Sequence, residues 1–185
     1  MEPFASPHYL DKEFHSLLIE ASSNLCDWFA DSGSQVPIPD SFNLPEISPE
    51  IEGVSNEVLL KELQILMNGS YRPSHPGALA HLDPPPLSAS IVGELICSGL
   101  NNNLLAEELS PSLSSLERNL CKWFCKRLGL GDLSGGVAAS GGSLSNLMAL
   151  VIARNIAGLE NDPSAVFFAS DDCHVSFFKS LKIMG

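Results

Sequence analysis

Gly136-Val-Ala-Ala-Ser-Gly-Gly-Ser-Leu-Ser-Asn146 is a run of small residues that passes through Gly141-Gly142 into a helical pattern. Gly135 to Ser140 reads as a short strand, Gly141-Gly142 as a tight turn, and Leu144, Leu147, Met148, Val151 and Ile152 as one face of a helix opening at Ser143. Glycines let a backbone come close to a ligand, and the free amides of a helix's first turn point at whatever lies beyond it. Such an end attracts anions, phosphate above all. Ser140, Ser143 and Ser145 add hydroxyl donors. The stretch is no Walker P-loop, because no Gly-Lys-Ser/Thr follows, and it lacks the Gly-x-Gly-x-x-Gly spacing of a dinucleotide site. A strand-to-helix turn without any ligand would use the same small residues.

Downstream, Ala165-Val-Phe-Phe-Ala169 is apolar on both faces, as a buried parallel strand should be. Ser170-Asp-Asp-Cys-His-Val-Ser176 stands just past its end, where ligands sit in open α/β sheets. His174 there can stack on a planar ring or exchange protons near neutral pH, although a lone loop histidine is more often structural. A further helix starts near Val175. Strand, helix, strand, helix opens an α/β fold. Two parallel strands cannot cover both faces of a sheet, so this portion reads as the start of a larger domain.

Upstream the pattern is helical. Residues 9–29 carry Leu10, Phe14, Leu17, Leu18, Ala21, Leu25, Trp28 and Phe29 near a 3.6-residue period. From Asp31 to Pro49, four prolines in a polar setting predict an extended strap. A second helix is predicted over 55–67, with Val58, Leu59, Leu63 and Leu66 inward and Asn68-Gly69 as its stop. Residues 71–86 form a long loop with five prolines, a kind of segment that is often functional. A third helix follows over 88–100. Ser110-Pro111 then opens a fourth, with serine as cap and proline at the first position, and Gly129 closes it.

The 185 residues are 44% hydrophobic and 17% charged, which fits a chain that buries a core. Net charge is −12 with no cluster of Lys and Arg, so nucleic acid is excluded as a default partner. The longest apolar run, Leu147 to Ala153, is far below the ~20 residues of a membrane span. The N-terminal residues do not resemble a secretory signal. Five scattered cysteines do not suggest a disulfide framework. Cys121 and Cys125, four apart, read as buried thiols on one helix face rather than zinc ligands, and no metal site is predicted. A cytoplasmic location is expected.

Ala138-Ala-Ser-Gly-Gly142 also fits a relaxed nucleophile elbow. Ser140 would then be a hydrolase nucleophile and His174 its base, oriented by Asp162, Asp171 or Asp172. Against this, a hydrolase elbow follows several strands, and here one at most precedes it.

Ser74-His-Pro, Ser110-Pro-Ser-Leu-Ser-Ser-Leu-Glu117, Ser140-Gly-Gly-Ser-Leu-Ser-Asn146, Ala149-Leu, Ala153-Arg154 and His174-Val-Ser176 with Lys179 occur in that order. The series resembles the group II pyridoxal-phosphate-dependent amino-acid decarboxylases, which include glutamate, aromatic amino-acid and 2,4-diaminobutyrate decarboxylases. The likeness covers roughly residues 55–185. It implies a type I aminotransferase-like fold and a homodimer acting on an amino acid with pyridoxal 5'-phosphate as cofactor. It divides the chain into a helix and strap over 1–50, a helical dimerisation and active-site loop segment over 51–109, and the start of the large cofactor domain over 110–185.

By position, the resemblance gives Gly142 and Ser143 the cofactor phosphate, Asn146 the support of that loop, and His174 the pyridine ring and a catalytic role. His81 and Asp83, in His81-Leu-Asp-Pro-Pro-Pro86, match a stretch that reaches the substrate side of a neighbouring site; their flavour inclines the substrate toward diaminobutyrate. The family also uses a lysine bonded to the cofactor and an aspartate facing the pyridine nitrogen. None of Lys12, Lys61, Lys122, Lys126, Lys179 and Lys182 stands in that lysine's context. These residues by themselves are therefore expected not to decarboxylate, and a non-catalytic remnant or interaction protein is the alternative.

Overall fold

Six α-helices and two single-turn 3-10 helices, Ser32–Ser34 and Glu107–Leu109, make up the regular structure among the described residues, which in this computed structural model are 4–40, 44, 51, 53–79 and 82–185. The α-helices are numbered in chain order. They are α1 (Lys12–Ala30), α2 (Asn56–Asn68), α3 (Ser88–Leu100), α4 (Pro111–Arg127), α5 (Gly142–Ile156) and α6 (Ser176–Met184). The chain divides into two units, residues 1–96 and 97–185. Every helix stands within a few residues of its expected place.

In the first unit, Asp11 caps α1 by accepting from the Phe14 amide at 3.0 Å, and Ser55 caps α2 through the Val58 amide at 3.3 Å. The two helices face each other across an apolar groove formed by Ala21 and Leu25 on one side and Leu60, Leu63 and Met67 on the other. Leu60 is the buried residue of α2, while Val58 of the expected inward set is exposed. Leu63 and Leu66 of the expected set do line the groove, and Leu60 and Met67 join them there because the position of α1 selects which part of a broad apolar stripe is covered. The proline strap is tied where it is described: the Arg72 amide donates to the Pro37 carbonyl at 2.9 Å. Most of its second half, residues 41–43 and 45–50, lies outside the described residues.

Arg72 is the anchor of this unit. It is buried, and its Nη1 donates at 2.9 Å to the Trp28 carbonyl near the end of α1. Its guanidinium carbon lies 4.7 Å from the centre of the Trp28 ring. A cation at a helix C-terminus meets exposed carbonyl charge, and stacking on an indole adds to that attraction.

In the second unit, α4 and α5 end alike. The Leu130 amide reaches back to the Cys125 carbonyl at 2.9 Å and the Gly129 amide to Lys126 at 3.2 Å. Leu159 and Gly158 bond to Arg154 and Asn155 at 3.1 and 3.0 Å in the same way. Gly129 and Gly158 both sit at φ +70°, where a Cβ would be strained, so glycine closes each helix in a Schellman motif. α5 packs on α6, and the Arg154 Nη1 on α5 donates to the Met184 carbonyl at the end of α6 at 2.8 Å.

The segments read as strands, 135–140 and 165–169, form no β-ladder among the described residues. A strand exists only through its hydrogen-bonded neighbour, and these two do not pair with each other. Side chains meet the first segment instead. Glu117 on α4 accepts from the Ala138 amide at 2.8 Å, and the Cys125 thiol approaches the Gly135 carbonyl at 3.6 Å. Phe167 in the second segment stacks on Phe177 of α6 with ring centres 6.2 Å apart.

Candidate functional site

Gly141 holds φ +157° and ψ 167°, a conformation that suits glycine, and it delivers the chain into α5 with no side chain capping the helix. The first intrahelical bond here runs from the Ser145 amide to the Gly141 carbonyl at 3.0 Å. The amides of Gly142, Ser143 and Leu144 therefore remain available at the positive end of a 15-residue helix. Gly142 and Ser143 are exposed, and a Cβ built at Gly141 or Gly142 would meet nothing within 4 Å. Open amides, a serine hydroxyl and free space fit a phosphate group.

The second half of the site is built at the start of α6. His174 is exposed on its loop, whereas Ser176, two residues on, is only 2% exposed. The Ser176 Oγ lies 2.7 Å from His174 Nδ1, and the Ser176 amide donates to the same nitrogen at 3.2 Å. Asn146 of α5 donates from Nδ2 to Ser176 Oγ at 2.8 Å. Asn146, expected beside the phosphate loop, thus spends its amide nitrogen on the histidine side of the site. The two signals that stand thirty residues apart in sequence are joined by one serine.

Ser176 had been given no role of its own. Its signal in the sequence was faint, since a hydroxyl residue at a helix start ordinarily reads as a cap, and burial is what marks it out. Asp83 is exposed in the first unit, and His81 lies outside the described residues.

Among the described residues, no hydrogen bond joins His174 to Ser140, Asp162, Asp171 or Asp172, so no hydrolase triad is assembled there. The His174 Nδ1 is engaged by Ser176, and the Asp162 carboxylate by the amide and hydroxyl of Ser164 at 2.8 and 2.6 Å. The Asp162 carboxyl is held below its ordinary value by these bonds, first the Ser164 hydroxyl and then its amide. No group of three or more His, Cys, Asp or Glu among the described residues could hold a metal ion. All five cysteines are free.

The pyridoxal-dependent decarboxylase conserved domain matches this chain over residues 41–185. An L-2,4-diaminobutyrate decarboxylase of Acinetobacter baumannii is 32% identical over 108 residues, 58% of this chain and 21% of that protein. An aromatic-L-amino-acid decarboxylase of Bacillus atrophaeus is 32% identical over 143 residues, 77% of this chain and 30% of that protein. Among solved structures, Oryza sativa TDC with PLP and tryptamine superposes with a TM-score of 0.81 at 23% identity, covering 98% of this chain and 43% of that one. The chain thus spans between a fifth and a third of the length of these two curated relatives.

Proposed function

Because the chain belongs to the pyridoxal-dependent decarboxylase family, we propose that it supplies the phosphate anchor and the ring-stacking histidine of an enzyme that decarboxylates an L-amino acid. The observation that carries this reading is the Asn146–Ser176–His174 chain of hydrogen bonds, which ties the histidine to the helix whose first amides stand open. In the proposal, the amides of Gly142 and Ser143 and the Ser143 hydroxyl hold the phosphate of pyridoxal 5'-phosphate. His174 lies against the pyridine ring, keeps water from that face and fixes the ring's orientation. The bound cofactor supplies an electron sink for the Cα carbanion left when the carboxylate departs.

The same proposal keeps the division into 1–50, 51–109 and 110–185, a homodimeric assembly, a cytoplasmic location, and His81 and Asp83 on the substrate side. No helix among the described residues is long and apolar enough to cross a membrane. Diaminobutyrate is the substrate we favour, in keeping with the likeness to the Acinetobacter baumannii protein. We also propose that the 185 residues turn over no amino acid unaided, because none of their lysines occupies the place of the cofactor lysine.

The test is phosphate-dependent binding. Pyridoxal 5'-phosphate is expected to bind more tightly than pyridoxal, and Ser143→Ala to weaken the phosphorylated form on the order of tenfold, the value of a hydrogen bond to a charged group. Equal affinity for the two compounds would sink the assignment. Release of carbon dioxide from labelled L-2,4-diaminobutyrate by the unaided chain would overturn the second part. A non-catalytic interaction protein is the other reading, favoured by the many exposed apolar side chains, and absence of any cofactor binding would support it.

A further inference from the structure

We infer that Ser176 is a positioning residue for His174, and that Asn146 sets the direction of its hydrogen bonds, so that the imidazole is held as the tautomer with its proton on Nε2. A backbone amide can only donate. The Ser176 amide points at Nδ1 at 3.2 Å, a long bond that favours an accepting nitrogen and leaves the shorter contact to the Ser176 hydroxyl to decide between the tautomers. The Asn146 Nδ2 can likewise only donate, and it gives its hydrogen to Ser176 Oγ at 2.8 Å. Asn146 takes one of the two lone pairs of Ser176 Oγ, and the hydroxyl hydrogen has Nδ1, 2.7 Å away, as its acceptor. Each donor in the chain then has an acceptor, with the single Nδ1 lone pair shared by the Ser176 amide and hydroxyl.

Burial makes the arrangement binding. Ser176 is 2% exposed, so water does not compete for its hydroxyl, and turning that hydroxyl away from Nδ1 would leave a buried donor without a partner. Two bonds from one residue to one ring nitrogen also restrain the position of Nδ1 more than a single bond would. The exposed Nε2–H edge is then presented in one orientation from the start of α6, braced by the packing of α5 on α6. A face prepared in this way lies ready for a planar ligand without reordering. That consequence rests on the ring-stacking reading of His174, whereas the tautomer follows from this chain's residues alone.

The experiment is two-bond proton–nitrogen correlation spectroscopy on the chain labelled with 15N-histidine, in mildly alkaline solution. His174 is expected to show an acceptor-type Nδ1 resonance and a protonated Nε2. Ser176→Ala should move the two nitrogens toward each other as the second tautomer becomes populated, and Ser176→Thr should restore the separation. Asn146→Asp, which turns a donor into an acceptor and draws the serine hydroxyl toward itself, should move them in the same sense as Ser176→Ala. A proton found on Nδ1 in the unmodified chain would overturn the inference, and this requires no variant to fold. Unchanged shifts in a folded Ser176→Ala chain would do the same. Adding pyridoxal 5'-phosphate separates the two ideas: a fixed Nε2–H tautomer whose shifts ignore the cofactor supports the positioning and defeats the stacking.

Discussion

Arg72 is a buried arginine to which, among the described residues, no carboxylate is hydrogen-bonded, and such a charge is unusual. Its partners are the Trp28 carbonyl, the Trp28 ring and, at 3.4 Å, the Ser32 hydroxyl. The nearby Asp31 is held below its ordinary carboxyl value, first by the Ser34 hydroxyl, next by the Gln35 amide and last by the charge of Arg72. Asp162 is the simpler case for measurement, because the Ser164 hydroxyl and amide alone lower it from 3.8. A carboxyl depressed in the folded chain stabilises it above the unfolded value, and that contribution disappears as pH falls through the folded one. The Asp162 carboxyl carbon should therefore titrate with a midpoint below 3.8 by nuclear magnetic resonance, and Ser164→Ala should move the midpoint up toward 3.8. A midpoint unchanged by the substitution would mean that Ser164 does not hold the carboxylate in solution.

Helix ends were easier to read than helix faces, and α4 shows both. Its start was expected to be capped by the Ser110 hydroxyl, yet Ser110 is fully buried and its Oγ makes no hydrogen bond. Proline at the first helical position already removes one orphan amide, and Ser110 takes φ −153° and ψ 58°, away from the extended backbone usual for a capping serine. Ser110→Ala should for that reason leave stability unchanged or raise it by up to about 1 kcal/mol, whereas an ordinary cap would lose about that much. The urea midpoint decides between them. At the other end of α4, Gly129 takes its expected closing place. The apolar side chains of α4 are largely open: Leu116, Leu120, Trp123 and Phe124 are each at least half exposed, while Ser114 and Cys125 are buried.

Across the described residues, the buried hydrophobic set is only Trp28, Leu60 and Cys125, while large apolar side chains of every helix stand exposed. α3 carries none of its residues buried, with Val92, Leu95 and Ile96 each at least half exposed. Contiguous apolar surface of that kind draws chains together in water. The unaided 185 residues should accordingly self-associate as concentration rises, with a sedimentation coefficient that climbs across a dilution series. A constant monomer value would contradict that expectation and weaken the proposed dimeric assembly. Membership in the decarboxylase family rests on the match of its conserved domain over residues 41–185.

The sequence by itself determined where the helices lie, where they stop and which turn offers amides to an anion, because apolar period, glycine, proline and hydroxyl placement act over a few neighbouring residues. It also carried the family, through motifs spaced along the chain. The tertiary structure alone decided that Leu60 and not Val58 meets α1, that residues 135–140 are met by α4 side chains and no strand, and that Ser176 joins Asn146 to His174. Each of those outcomes depends on which distant segment arrives as neighbour. No periodicity within a segment encodes that, since a hydrogen bond across thirty residues has the same local sequence whether it forms or not.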